Sequence, residues 1–203
     1  MVRVFGLLVA AIALMAPANA ALLTYSFNGT VAGSVDASAG GATAGDFTQD
    51  TGTGSLQGGT SYRAAAPGTN TFELTIGAVP LKLSDLSIRG KKTNTTGGST
   101  SSGALINVFY QIDTGAGYGA STPVDNFGPT NSFGTSSLGL GDILLFTGNK
   151  IKFTIDTAVN SGSSVSYEMD WIELSGASVP EPASMAIFGL MGAGLAVRRF
   201  RRK

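Results

Sequence analysis

The chain has no cysteine and no histidine among its 203 residues. The first absence excludes disulfides and thiol nucleophiles, the second excludes imidazole acid-base catalysis, and together they remove the usual zinc sites. Charge is scarce too: Asp, Glu, Lys and Arg make up 13% of the chain, and its formal sum is zero. That sum averages unlike regions. Arg3 sits near the start, and Arg198, Arg199, Arg201, Arg202 and Lys203 close the chain, whereas residues 21–180 hold seven basic and twelve acidic side chains. A mildly acidic body with scattered bases, Lys91 and Lys92 apart, has no footprint for a phosphate backbone, so no nucleic-acid partner is expected. No segment before residue 177 reads as a long amphipathic helix.

What is present is clearest at the two ends. The start reads MVR, then VFGLLVAAIALMA, then PANA: a basic tip, thirteen uncharged and mostly apolar residues, and a small-x-small triplet at Ala18, Asn19 and Ala20. This is the three-part build of a signal peptide over 1–20, cut by signal peptidase after Ala20. As a membrane anchor it is short, since thirteen helical residues span only ~20 Å of a ~30 Å hydrocarbon core.

At the far end Pro182 to Val197 carries no charge and runs into the five basic residues of 198–203. A hydrophobic helix over 183–197 is expected, marginal in length against the ~17 to 25 residues that usually span a bilayer. Its boundary arginines can snorkel, and the basic cluster acts as a stop that stays cytoplasmic. That topology leaves the body outside, as the signal peptide independently requires.

The order Val179, Pro180, Glu181, Pro182, Ala183, Ser184, apolar helix, basic tail resembles the PEP-CTERM sorting signal of bacteria that also secrete exopolysaccharide. The resemblance covers residues 177–203 and implies processing by an exosortase near the Pro-Glu-Pro at 180–182, with the membrane held transiently through the helix. Two prolines cannot donate backbone hydrogen bonds and keep the segment extended, as a protease requires.

Between the ends, residues 21–176 show period-two alternation in short runs separated by Gly, Ser, Thr and Asn. TFELTIGAV places Phe72, Leu74, Ile76 and Ala78 on one face; NKIKFTID does the same with Ile151, Phe153 and Ile155; LLTYSFN with Leu23, Tyr25 and Phe27. ALINVFYQID is apolar on both faces, Val108 and Tyr110 on one and Leu105 and Phe109 on the other, which predicts a central strand covered on both sides. Eight strands are expected near 22–28, 60–65, 71–79, 82–90, 104–113, 121–127, 149–157 and 164–175. The predicted fold class is all-β, a two-sheet antiparallel β-sandwich of jelly-roll type, flanked by the signal-peptide helix and the C-terminal hydrophobic helix. Phe72, Leu74, Ile76, Val108, Tyr110, Ile151, Phe153 and Trp171 are the expected core. The polar loop 91–103 is expected to be mobile.

The opening ALLTYSFNGT and the closing SYEMDWIELSG are similar to the sandwich domains of many PEP-CTERM proteins, which are like galactose-binding modules. In such modules a last-strand acid helps hold a structural Ca²⁺, and the resemblance implies that role for Asp170, with further oxygens from backbone carbonyls or from Asp36, Asp46 or Asp50. Read from its residues alone, Asp170 is an exposed edge-strand acid beside a core Trp171. Beyond that calcium no cofactor is expected. Enzyme chemistry without His or Cys would have to run on two carboxylates, for which Glu73, Glu168, Asp170 and Glu173 qualify by residue type only. Tyr118, Phe127 and Phe133 are loop aromatics that would suit a sugar surface or plug the sandwich end. The expectation is an exported surface or matrix protein, non-catalytic and associated with extracellular polysaccharide; a lectin-like sugar binder and a carboxylate-based glycan enzyme are the alternatives.

Overall fold

The structure is a computed structural model and describes residues 19–162 and 165–179. Both expected flanking helices lie outside the described residues, as do Ala18, the Pro180–Pro182 motif and the basic tail from Arg198 to Lys203. No helix among the described residues is long and apolar enough to cross a membrane.

Thirteen strands follow in chain order: β1 Ala20–Tyr25, β2 Ser34–Val35, β3 Thr43–Ala44, β4 Thr48–Thr51, β5 Gly54–Gln57, β6 Ser61–Ala65, β7 Gly68–Thr75, β8 Leu81–Thr93, β9 Gly103–Asp113, β10 Thr122–Phe127, β11 Gly134–Leu145, β12 Lys150–Ser161 and β13 Ser166–Ser178. They form two antiparallel sheets. The seven-stranded sheet runs β11-β8-β13-β1-β2, with β6 also on β13 and β5 on β6; the six-stranded sheet runs β10-β9-β12-β7-β3, with β4 also on β7. The pairs nest: β6 with β13, β7 with β12, β8 with β11, and β9 with β10. Successive strands from β7 onward mostly cross from one sheet to the other, the connectivity of a jelly roll.

The alternation places the core between the sheets. Phe72, Leu74, Ile76, Val108, Ile151 and Phe153 are buried there as expected, and Tyr110 packs partly against them. Phe153 stacks on Phe72 at 5.1 Å, and Tyr25 meets Phe72 at 5.2 Å, so the two sheets are joined through rings. Such pairs add ~0.5 to 1.5 kcal/mol beyond the area they bury. Gly90 is required at this interface, because a Cβ there would lie 2.5 Å from the Cζ of fully buried Tyr167.

Three expectations are corrected. Trp171 is half-buried and outside the core, because β13 carries a bulge between Met169 and Trp171. Side chains alternate with period two, so one extra residue exchanges the faces. Tyr167 and Met169 point inward before the bulge, and Ile172 and Leu174 after it. Phe109 is half-buried on the outer face of β9, which is central in its sheet yet not covered on both sides. Loop 91–103 shrinks to 94–102, because β8 runs on to Thr93; within it the Asn94 carboxamide oxygen accepts from Thr96 N and Gly98 N, and Asn131 Oδ1 accepts from Thr100 N.

The sequence reading missed the short strands β2 to β5, and it missed β11, whose Gly- and Ser-rich GTSSLGLGDILL carries only Leu138, Leu140 and Leu145 as buried residues. It bends at a register shift between Gly139 and Ile143, with Asp142 at φ 63°.

Phe153→Ala should cost ~3 to 5 kcal/mol as a core deletion. Trp171→Ala, on the outer face, should cost less than ~2 kcal/mol. Urea melts of the two variants check this; equal losses would place Trp171 back between the sheets.

Candidate functional site

The outer face of the seven-stranded sheet, in the half near the β8–β9 turn, holds most of the charged side chains of β6, β8 and β13. Cross-strand register sets the first row: Arg63 on β6 and Lys91 on β8 flank Glu168 on β13. The Arg63 Nη2 to Glu168 Oε2 distance is 3.3 Å, Lys91 Nζ lies 3.7 Å from Oε1, and Ser61 Oγ donates to Oε1 at 2.8 Å. Glu168 is buried, which is tolerated because two cations and a hydroxyl replace its hydration.

In the next row Trp171 stands opposite Arg89, and the bulge residue Asp170 turns its carboxylate to the same guanidinium, Arg89 Nη1 to Asp170 Oδ2 at 2.6 Å. Phe133, just before β11, lies over both rows: its ring centroid is 4.5 Å from Lys91 Nζ and 5.6 Å from Arg89 Cζ. Cations over a ring face are attracted by its quadrupole. The result is a patch with two half-buried aromatic side chains, Phe133 and Trp171, separated by Arg89 and Lys91. A small cleft of about 180 Å³, lined by residues that include Gly54, Gln57, Arg63, Thr95 and Ser166, continues it past Arg63.

The six-stranded sheet has a different outer face. The Tyr118 hydroxyl donates to Glu73 Oε2, Lys152 Nζ stands 4.6 Å over the Tyr118 ring, and Lys150 Nζ is 3.5 Å from Glu73 Oε1. Desolvation, then the hydrogen bond to Glu73, pushes the Tyr118 phenol well above its ordinary range. Of the three aromatics expected in loops, Phe127 is instead the last residue of β10 and takes the packing role, edge-on to Tyr167 at 6.0 Å, while Tyr118 and Phe133 lie on opposite outer faces.

The four candidate acids are divided between the two sheets. Glu73 is on β7 in one sheet, and Glu168, Asp170 and Glu173 are on β13 in the other. Glu173 accepts from Ser175 Oγ at 3.3 Å, and the other three carry cations. Asp170 takes its countercharge from Arg89. Asp36 caps a short 3-10 turn by accepting from Ser38 N; hydrogen bonding to the Ser38 side chain, and then to its backbone N–H, holds the Asp36 carboxyl below the usual range, and Asp50 accepts from Thr71 Oγ1. Among the described residues no group of three or more acids gathers where it could hold a metal ion.

Trp171 as a surface ring and its partnership with Phe133 were not legible in the sequence. The only signal was the adjacency of Trp171 and Ile172, where the apolar phase of Tyr167 and Met169 gives way to that of Ile172 and Leu174, and a bulge leaves no residue type that announces it.

Residues 178–203 match the family model described as the PEP-CTERM protein-sorting motif. The chain thus carries the sorting signal of an exported protein, beginning at the last residue of β13. No curated protein matches the chain. Among solved structures the chain is similar to a family 29 carbohydrate binding module from Piromyces equi, at 11% identity and TM-score 0.45, over 79% of this chain and 91% of that one. A second family 29 module overlays at 12% identity and TM-score 0.42, over 77% and 88%. A family 29 variant complexed with cellulohexaose does so at 11% identity and TM-score 0.39, over 77% and 89%.

Removing the buried acid should be costly: Glu168→Ala leaves Arg63 and Lys91 without a countercharge and should lower stability by about 3 kcal/mol in urea melts. Asp170→Asn breaks a pair whose side chains are 43% and 31% exposed. It should cost less than ~1 kcal/mol, the same in calcium as in EDTA. A melting temperature that falls by several degrees in EDTA for the unaltered protein, and not for Asp170→Asn, would instead assign Asp170 to calcium.

Proposed function

We propose that this chain is an exported, exosortase-processed protein of the cell surface or extracellular matrix, non-catalytic, whose sandwich associates with extracellular polysaccharide. The observation that carries the reading is the sorting motif at 178–203, which follows the last strand without an intervening domain. Signal peptidase acts after Ala20. The apolar run 183–197 and the stop at Arg198, Arg199, Arg201, Arg202 and Lys203 hold the protein in the membrane until exosortase cuts near Pro180–Pro182.

A non-catalytic role is supported by the state of the acids. Glycoside hydrolysis requires two carboxylates facing one sugar at ~5 to 9.5 Å, one of them free to carry a proton. Here Glu73, Glu168 and Asp170 are each engaged by a cation. Polysaccharide association is supported by the patch of Phe133, Trp171, Arg89 and Asp170: rings suit the apolar faces of sugars, and the flanking charged groups suit their hydroxyls. The second reading, a lectin-like site of defined sugar specificity, would use the same patch.

Two measurements test the proposal. Intact mass of mature protein from the native host should show the loss of residues 1–20 and of the segment from roughly Ala183 onward; a mature species that retains Arg198–Lys203 would sink the exosortase reading. On a glycan array, Trp171→Ala and Phe133→Ala should each weaken polysaccharide binding on the order of tenfold, equivalent to about 1.4 kcal/mol. Binding that is unchanged in both variants would remove the patch from the reading.

A further inference from the structure

The sandwich has two chemically different ends. The one opposite the chain exit is closed by buried polar side chains, Asn70, Thr93 and Thr157 among them. At the exit end Ser178 pairs with Leu81 and Val179 N donates to Pro80 O, so the polypeptide leaves beside the start of β8. Ala20 pairs with Gly176, so the chain also enters at this end. Both apolar segments of the sequence, 4–16 and 183–197, are therefore joined to the same end of the sandwich.

The large hydrophobic side chains exposed among the described residues are Leu144 and Phe146, at 47% and 58%, and both lie at this end. Leu145 and Ser178 are both register partners of Leu81. With neighbouring strands ~4.8 Å apart, the tip of β11 stands ~10 Å from the exit, across one strand. Phe146 opens the turn to β12, which is fixed by Phe146 N donating to Asn149 Oδ1 and Thr147 Oγ1 donating to Ala78 O. Phe146 thus projects from a braced turn, and Leu144 from the last residues of β11 beside it.

We infer that this end is a membrane-docking surface: in the anchored precursor, Leu144 and Phe146 seat in the lipid interface beside the exit. The inference rests on the proposed membrane anchoring of 183–197. Its second support is reach. Only Pro180, Glu181 and Pro182 separate Val179 from that run, so the exit stands at most ~14 Å from Ala183. An end held that close to a bilayer brings its exposed apolar side chains to the headgroup level, where Phe and Leu are favourably buried. The nearby Lys82 and Lys150 are paired with Asp142 and Glu73, so docking depends on apolar contact more than on charge and is weakly sensitive to salt. Docking also turns the β8–β9 end, with the Phe133 and Trp171 patch nearest it, away from the membrane.

The absence of cysteine makes the test clean. The full chain, carrying one of Thr147→Cys, Ser99→Cys or Phe188→Cys labelled with an environment-sensitive fluorophore, is reconstituted in phosphatidylethanolamine and phosphatidylglycerol vesicles that contain lipid spin-labelled at a shallow acyl position. The 188 label should be strongly quenched, and the 147 label quenched about twofold or more beyond the 99 label. Leu144→Ser with Phe146→Ser, both on the surface, should bring the 147 label down to the level of 99 and leave 188 unchanged. Equal quenching at 147 and 99 with 188 quenched overturns docking and leaves the anchor standing. An unquenched 188 label overturns the anchor, and docking with it. A 147 label that is shielded without lipid, in proportion to protein concentration, means that a second copy covers this end, and the lipid assignment is wrong.

Discussion

The pairing of the last strand is the constraint on which the rest of the molecule depends. β13 is bonded along one flank to β8 over nearly its full length, and along the other first to β6 and then to β1. The bulge at Asp170 falls between the β6-paired and β1-paired portions, where neither neighbour matches Asp170 or Trp171. A strand in that position has few free backbone groups, so the extra residue is accommodated by local twist rather than by a shift of the whole register.

That one residue changes what the sheet shows to solvent. Without it Trp171 would enter the core, and Ile172 and Leu174 would face out. With it, the indole joins Phe133 and the cations of β8 on the surface, and two aliphatic side chains fill the interior. The ion pairs follow from the same register. Glu168 is flanked by Arg63 and Lys91 because those residues are its cross-strand partners, and like-facing neighbours on adjacent strands stand about 5 Å apart. The arrangement of charge on this face is thus a consequence of strand pairing.

β13 also sets the end of the sandwich at which the chain enters and leaves. Its C-terminal half brings the entering and leaving chain together and places the exit one strand away from the apolar turn after β11. A sandwich whose two termini share one end can be held by that end while its opposite loops remain accessible.

Much of this was legible in the residues. The Pro-Glu-Pro tail is a local pattern read from consecutive residues, and the match to the sorting motif at 178–203 bears it out. The sandwich and most of its core were legible because period-two alternation is set by strand geometry alone, as Phe72, Leu74, Ile151 and Phe153 show. β11 escaped because an edge strand can present Gly and Ser outward, which dilutes the alternation. What only the tertiary structure decided is the parity of Trp171, the placing of Tyr118 and Phe133 on opposite faces, the partners of the four acids, and the nearness of Leu144 and Phe146 to the exit. Each depends on which strands lie side by side, and that is settled by contacts between residues far apart in the chain, whereas a pattern along the sequence records only what each segment buries.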